Sequence, residues 1–196
     1  SGMQLSLDMS DKKSFKFIKN ADIKNKADIY IADEKIAAVS GDTVTVISDG
    51  ELEKLLKDGD IKKRVHDFKN LSRKYPDIAG VRFDTMLAAY LCNPSASSYV
   101  TDRIITEYAP YEPEIEGETD EFIKNACLFS LACDTLENEL EKTGQKKLFD
   151  EIELPLARVL GEMELCGFSA DVNGLKALSS ELDTRIKALE SEIYSL

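Results

Sequence analysis

The chain has 196 residues, of which 43% are apolar and 32% charged, and this composition is typical of one soluble globular domain with a short appendage. Its formal net charge of −12 indicates that the isolated chain repels nucleic acid, and it argues against a DNA-binding module. The sequence has neither a run of about 20 apolar residues nor a signal peptide, so we expect a cytoplasmic protein without membrane contact.

The first 20 residues are polar and mixed in charge, and we interpret them as a tag remnant, Ser1-Gly2, followed by a linker. Three short segments rich in Ile and Val come next, and the pairs Asp33-Glu34 and Gly41-Asp42 separate them as turns. Segments this close in sequence predict an antiparallel meander. Its strands are expected over Ala27–Ala32, Lys35–Ser40 and Thr43–Ser48.

Helices dominate the rest of the chain. Asp49 and Ser98 are expected to cap helices, and Pro155 is expected to kink or break a long one. Prolines and glutamates predict a loop over 109–119. Predicted helices cover 51–56, 67–75, 84–91, 100–108, 120–143, 146–165 and 173–196, and further short strands cover 63–65 and 81–83. This order predicts an α/β or α+β domain in which helices cover a small mixed sheet.

Three segments resemble bacterial family A DNA polymerases. Phe83–Leu91, followed by Asn93-Pro94-Ser95, is similar to the stretch after the second exonuclease motif, and His66-Asp67-x-Lys69 resembles the helix that carries this motif. The most specific segment is Leu148–Leu156, which contains Glu-x-Pro-Leu and precedes Met163-Glu164. It resembles the junction between the exonuclease and polymerase domains.

The resemblance implies an α/β fold of the ribonuclease-H-like 3′–5′ exonuclease type over 21–147, with a small mixed sheet flanked by helices. Residues 148–196 would then be the first helices of a polymerase domain, whose palm and fingers lie beyond Leu196. Mg²⁺ is implied for the full polymerase, and we expect no cofactor in this segment. The implied partners are the polymerase domain of the same chain and, only through the full-length protein, DNA.

Active members of the family hold two divalent cations with an Asp-x-Glu after the first strand, an Asn-x-x-x-Asp and a Tyr-x-x-x-Asp. At the first motif the sequence has adjacent acids, Asp33 and Glu34, which cannot both point the same way from a strand. We therefore interpret them as hairpin residues. The only literal Asp-x-Glu, at Asp49-Gly50-Glu51, follows the third strand, and helix capping explains it better.

The second and third motifs lack their essential carboxylates. The register of the second motif places Asp67 at the asparagine and Leu71 at the aspartate, and a leucine cannot coordinate a cation. The third motif places Leu128 and Ala132 at the tyrosine and the aspartate, with Asp134 two residues further on. These departures predict that the fold is kept and that catalysis is lost, so we expect no catalytic or metal-binding residue.

Two alternatives remain open. An active exonuclease with a rearranged two-metal site would use Asp33, Glu34, Asp67 and Asp134. A stand-alone protein-interaction domain is the other alternative, although such a module has no reason to carry the junction segment. The four cysteines and the single histidine, His66, lack the spacing of a structural zinc site.

The last predicted helix carries one apolar stripe. Its members recur at spacings of three and four: Leu175, Leu178, Leu182, Ile186, Leu189, Ile193 and Leu196. In an intact polymerase we expect this stripe to pack against the following domain. In the isolated chain it predicts either self-association through residues 173–196 or a helix that folds back on the chain.

Overall fold

The computed structural model describes residues 12–195, and seven of its strands form one mixed sheet in the order β6-β5-β2-β3-β4-β1-β7. The strands are β1 (Ser14–Phe17), β2 (Lys26–Ala32), β3 (Lys35–Ser40), β4 (Thr43–Ile47), β5 (Lys62–Val65), β6 (Val81–Asp84) and β7 (Glu114–Glu116). Strands β2, β3 and β4 pair antiparallel, which confirms the predicted meander. Strands β5 and β6 extend the sheet in parallel from β2.

Eight α-helices accompany the sheet in the described part of the chain. They are α1 (Asp49–Lys57), α2 (Phe68–Lys74), α3 (Thr85–Cys92), α4 (Thr101–Tyr108), α5 (Glu121–Lys142), α6 (Lys146–Leu148), α7 (Leu154–Cys166) and α8 (Val172–Tyr194). The sheet and its helices confirm the α/β class.

Two strands at one side of the sheet, β1 and the edge strand β7, lie where the sequence indicated none. Strand β1 falls in the predicted linker, and β7 falls in the predicted loop over 109–119; the two pair in parallel with each other. The prediction was wrong for β1 because the segment is polar overall, although Phe15 is buried and alternates with exposed neighbours. Residues 1–11, which include the expected tag remnant, lie outside the described residues.

Two predicted helix caps are also wrong. Ser48, rather than Asp49, caps α1, and its side chain and Glu51 form a reciprocal capping box. Helix α4 begins after Val100 without a side-chain cap, so Ser98 has no such role.

Pro155 lies at the second residue of α7 and follows a π-helical turn over Phe149–Glu153. Because proline has no N–H to donate and its ring crowds the preceding turn, the wide turn accommodates it. The predicted break therefore takes the form of a local widening between α6 and α7.

The core packs the sheet against α5 and also includes buried residues of other helices, such as Leu52 of α1 and Ile104 of α4. Helix α5 contributes ten buried residues, among them Phe129, whose ring centroid lies 5.9 Å from that of Tyr30 on β2.

The chain divides into two compact units, residues 1–165 and 166–196, and the expected boundary at 147/148 falls inside the first. The second unit contains α8, in which no residue is buried. Among residues 12–195 no helix is both long and apolar enough to cross a bilayer.

Candidate functional site

The carboxyl ends of β2 and β5 meet at one edge of the sheet. The two strands are parallel, with Asp28 opposite Arg64, so the chain leaves both strands on the same side. Helix α2 begins three residues after β5, and α5 packs across β2. This edge therefore carries Asp33-Glu34, which follow β2, and α2 with Leu71, which follows β5.

A small cavity of about 130 Å³ lies at this edge. Most of its lining is apolar. Leu71 of α2, the position predicted for the second-motif aspartate, forms part of the lining and is 8% exposed. The full lining is Ile29, Tyr30, Ile31, Val65, His66, Leu71, Thr101 and Phe129. No carboxylate is among these residues.

His66 and Tyr30 are the two ionisable rings in this lining, and His66 is the one that could ligate a metal. Its Nδ1 lies 2.9 Å from the Thr85 hydroxyl, and burial lowers the pKa of the imidazole. The ring is therefore neutral at pH 7, and its single polar partner is a side chain that is itself fully buried. This environment is typical of a structural histidine.

Asp67 is used to start α2. It adopts a left-handed conformation, with φ 54°, and its carboxylate accepts hydrogen bonds from the backbone and the side-chain amide of Asn70. Its own N–H donates to Asp84, which also accepts from the N–H groups of Phe68 and Met86. Asp84 is fully buried, and burial raises its pKa to about 6 against these three hydrogen bonds. Both carboxylates therefore act as helix N-caps, Asp67 for α2 and Asp84 for α3.

Asp33 and Glu34 form the two-residue turn between β2 and β3. Their φ values are 47° and 64°, and Ala32 pairs with Lys35 across the turn. Two consecutive positive φ angles are what a tight hairpin turn with the correct twist requires. Both side chains are exposed.

The third-motif positions lie on α5. Ala132 is fully buried, whereas Leu128 is half-buried and lines an open cleft beside α4 and β7 rather than the small cavity. Asp134, one half-turn further on, contacts Arg64 at 2.5 Å and lies within 4 Å of Lys13 and Lys26. Asp134 therefore lies beside the start of β2, because its partner Arg64 is opposite Asp28. Asp28 is five residues, or about 16 Å along the strand, from Asp33.

The start of β2 holds a buried ionic network that the sequence interpretation missed. Arg64 donates two hydrogen bonds of 2.6 Å to Asp28, and further ones to Asp134 and Glu137. The Ser130 hydroxyl donates to Asp28 at 2.6 Å. The available signal was Asp28, a lone acid inside the largely apolar strand β2, since charged residues are rarely buried without a partner. Arg64 gave no comparable signal because its strand, Lys62–Val65, is mostly basic.

These residues do not fit a pair of divalent cations. Two-metal cleavage needs several carboxylates that converge on ions about 4 Å apart. The cavity is lined by side chains without carboxylates, and the four acids of the rearranged-site alternative are divided between a turn, a helix cap and the distant network. Within residues 12–195 no group of three or more His, Cys, Asp or Glu side chains could hold a metal ion.

Residues 18–119 match the family described as DNA polymerase I, ribonuclease H-like domain. The chain belongs to this family. The resemblance to bacterial DNA polymerase I and the ribonuclease-H-like fold are thereby confirmed. The chain is also 30% identical to DNA polymerase I of Bacillus subtilis over 136 residues, which are 61% of this chain and 16% of that protein.

Two solved structures are similar to the chain. The POL domain of Pol1 from M. smegmatis, in complex with DNA primer-template and dNTP, has a TM-score of 0.67 and 25% identity, over 86% of this chain and 33% of that one. A nuclease in its apo form has a TM-score of 0.52 and 16% identity, over 81% and 96% of the two chains, and shows the fold alone. The chain thus spans about a sixth of its Bacillus relative and a third of the solved polymerase domain.

Proposed function

We propose that this chain is the 3′–5′ exonuclease-like domain of a DNA polymerase I, that it has lost nuclease catalysis, and that it supports the polymerase domain as a structural module. Residues 21–147 would form the degenerate domain, and 148–196 the first helices of the polymerase domain. The observation that carries the proposal is Leu71, which occupies the metal-ligand position of the second motif in an apolar cavity.

The chemical reason is the charge that phosphodiester cleavage develops. Paired cations held by carboxylates activate the water and stabilise the leaving oxygen, and the cations cannot be held without those ligands. The ligands of one catalytic unit depend on each other for their effect on the rate. Replacing the expected carboxylates by Leu71 and Ala132 therefore removes most of the rate enhancement. DNA and Mg²⁺ would be bound by other parts of the full-length polymerase.

An end-shortening assay tests the loss of catalysis. We would incubate 3′-labelled single-stranded DNA with the chain and Mg²⁺ or Mn²⁺, and we expect no shortening above background. The matched control is an Asp33→Ala/Asp67→Ala variant. Metal-dependent shortening that disappears in this variant would overturn the proposal in favour of the rearranged site.

We also propose that the isolated chain self-associates through residues 173–196. The six described members of the apolar stripe on α8 are each about half-exposed or more, and their spacing of three and four residues keeps them on one face of the helix. Leu196 lies outside the described residues. Light scattering on the chain and on a Leu182→Glu/Leu189→Glu variant should show a dimer or larger species and a monomer, respectively. Monomers in both samples at high concentration would contradict self-association.

A further inference from the structure

Strand β7 is an edge of the sheet, and its central residue has backbone groups available for a further strand. Within residues 12–195, β7 pairs with β1 alone. On β1, Lys16 donates its N–H to the Asp42 carbonyl oxygen, on the β4 side, at 2.7 Å. Because backbone groups alternate sides along a strand, Phe15 faces β7, where it lies opposite Ile115. A residue in a parallel pair bonds to the two neighbours of the residue opposite it, so Ile115 keeps its N–H and C=O for the free edge.

An open cleft of about 900 Å³ lies beside this edge, between β7, α4 and α5. Ile115 lines the cleft from β7, Ile105 lines it from α4, and Leu128 lines it from α5. Side chains alternate between the two faces of a sheet, and residues opposite each other share a face. A strand added at the free edge would therefore direct the side chain opposite Ile115 into the cleft and its two neighbours to the other face.

The edge strand and the rim of the cleft are acidic. Six of the ten residues over 112–121 are acids, and none is basic. Glu114 and Glu116 flank the central residue of β7, and both are exposed. Lys124, which also lines the cleft, is paired with Glu112 at 2.8 Å. The unpaired strand edge is therefore bordered by an excess of negative charge.

We propose that the free edge of β7 and the adjoining cleft bind an extended segment of another protein, in which one apolar residue stands between two basic ones. The backbone of this segment would bond to the N–H and C=O of Ile115 and so add a strand to the sheet. Its apolar side chain would enter the cleft, and its basic side chains would lie beside Glu114 and Glu116 on the other face.

The charges disfavour two other occupants. A second copy of the chain, paired along the same edge, would bring glutamates opposite glutamates, and like charges directly opposite across strands are destabilising. A nucleic acid would bring its phosphates to an acidic rim. The strand has three residues, and the lining of the cleft is part polar, which suits a transient partner because permanent interfaces are larger and more apolar.

Two short fluorescent peptides test the predicted pattern on the 196-residue chain. One peptide alternates lysine and valine, and the other has the same composition with the lysines and the valines in separate blocks. We expect the alternating peptide to bind about tenfold more tightly in fluorescence anisotropy, because only it can use its backbone, its apolar side chains and its charges together. Equal affinities would show that charge alone attracts the peptides and would overturn the proposal.

Hydrogen exchange resolved by residue locates the bound peptide. At saturation with the alternating peptide, exchange of the Ile115 amide should slow by about tenfold or more. The Glu116 amide, which bonds to β1, should change little and is the internal control. Unchanged exchange at Ile115 would overturn the proposal. Protection of Ile115 that rises with the concentration of the chain alone would overturn it in favour of a second copy.

Two substitutions of Ile115 separate the backbone bond from general attraction. Ile115→Pro removes the outward N–H and leaves the bonds to β1, and proline is tolerated where an edge strand faces solvent. Ile115→Val is the matched control, because it keeps the N–H and an apolar side chain. We expect the affinity for the alternating peptide to fall by about tenfold in Ile115→Pro and by less than about twofold in Ile115→Val. With circular dichroism showing both variants folded, equal affinities would contradict strand addition at β7.

Discussion

The buried ionic network gives the sharpest stability prediction. In Arg64→Met, the guanidinium that joins β5 to β2 and α5 is replaced by an apolar side chain of similar length. Asp28, whose side chain is 5% exposed, then keeps only the Ser130 hydroxyl as its side-chain partner among the residues described. The remaining carboxylates of Asp134 and Glu137 lose the positive charge between them.

The loss in free energy of unfolding depends on how deeply each ion pair is buried. Removing one partner of a buried ion pair leaves an uncompensated charge and costs about 3–5 kcal/mol. Asp134 is 41% exposed, so Asp134→Asn removes a solvent-screened interaction of about 1 kcal/mol or less. Because a whole domain is stable by only about 5–15 kcal/mol, Arg64→Met should unfold a large part of the population in mild denaturant.

Urea unfolding followed by circular dichroism measures the destabilisation in Arg64→Met and in Asp134→Asn. Equal dependence of the free energy of unfolding on urea concentration confirms that the same transition is compared. Lys62→Met is the matched control, because Lys62 is the exposed lysine that begins the same strand. If Arg64→Met costs no more free energy of unfolding than Asp134→Asn or Lys62→Met, the network does not anchor α5 to the sheet as we describe.

Three further predictions concern the site and the surface. The folded protein holds the Asp84 proton more tightly than the unfolded chain, with a pKa of about 6 against an ordinary 3.8. The free energy of unfolding relative to Asp84→Asn should therefore fall by about 2.4 kcal/mol as the pH rises from 4 to 7 in paired urea titrations, and a constant difference would contradict this. Leu71→Asp should lower the midpoint of urea unfolding, because it places a charge in an apolar cavity. The variant should show no end-shortening activity, and a gain of activity would show that the other metal ligands of a nuclease site are still present. Fluorescence anisotropy at low salt should detect no micromolar DNA binding, and a steep salt dependence would instead reveal a basic face.

The central meander, α5 and the Asp33-Glu34 turn could be predicted from the sequence, because local alternation, turn residues and helical periodicity specify them. Strands β1 and β7 could not, since each is held by parallel partners distant in sequence and shows little local signal. That Leu71 stands where the predicted motif requires a carboxylate was visible in the sequence. Its apolar surroundings depend on Ile29, Val65 and Phe129, which only the fold brings together.

Asp134 is a second residue whose role could not be predicted from the sequence. Its position near the third motif left a metal-ligand role open, and sequence spacing alone could not exclude it. The structure pairs it with Arg64, 70 residues away, through a contact that no local pattern encodes. Long-range ion pairs between buried strands and a helix are set by the topology of the sheet.

Whether a metal binds at the predicted nuclease site can be measured through the chain's single histidine. His66 lines the cavity, and a bound Mn²⁺ there would broaden its ring NMR signal strongly, because paramagnetic relaxation falls steeply with distance. We predict that the His66 signal stays as sharp during a Mn²⁺ titration as the signals of residues far from the cavity. Selective broadening of His66 that is abolished in Asp67→Asn would contradict the account.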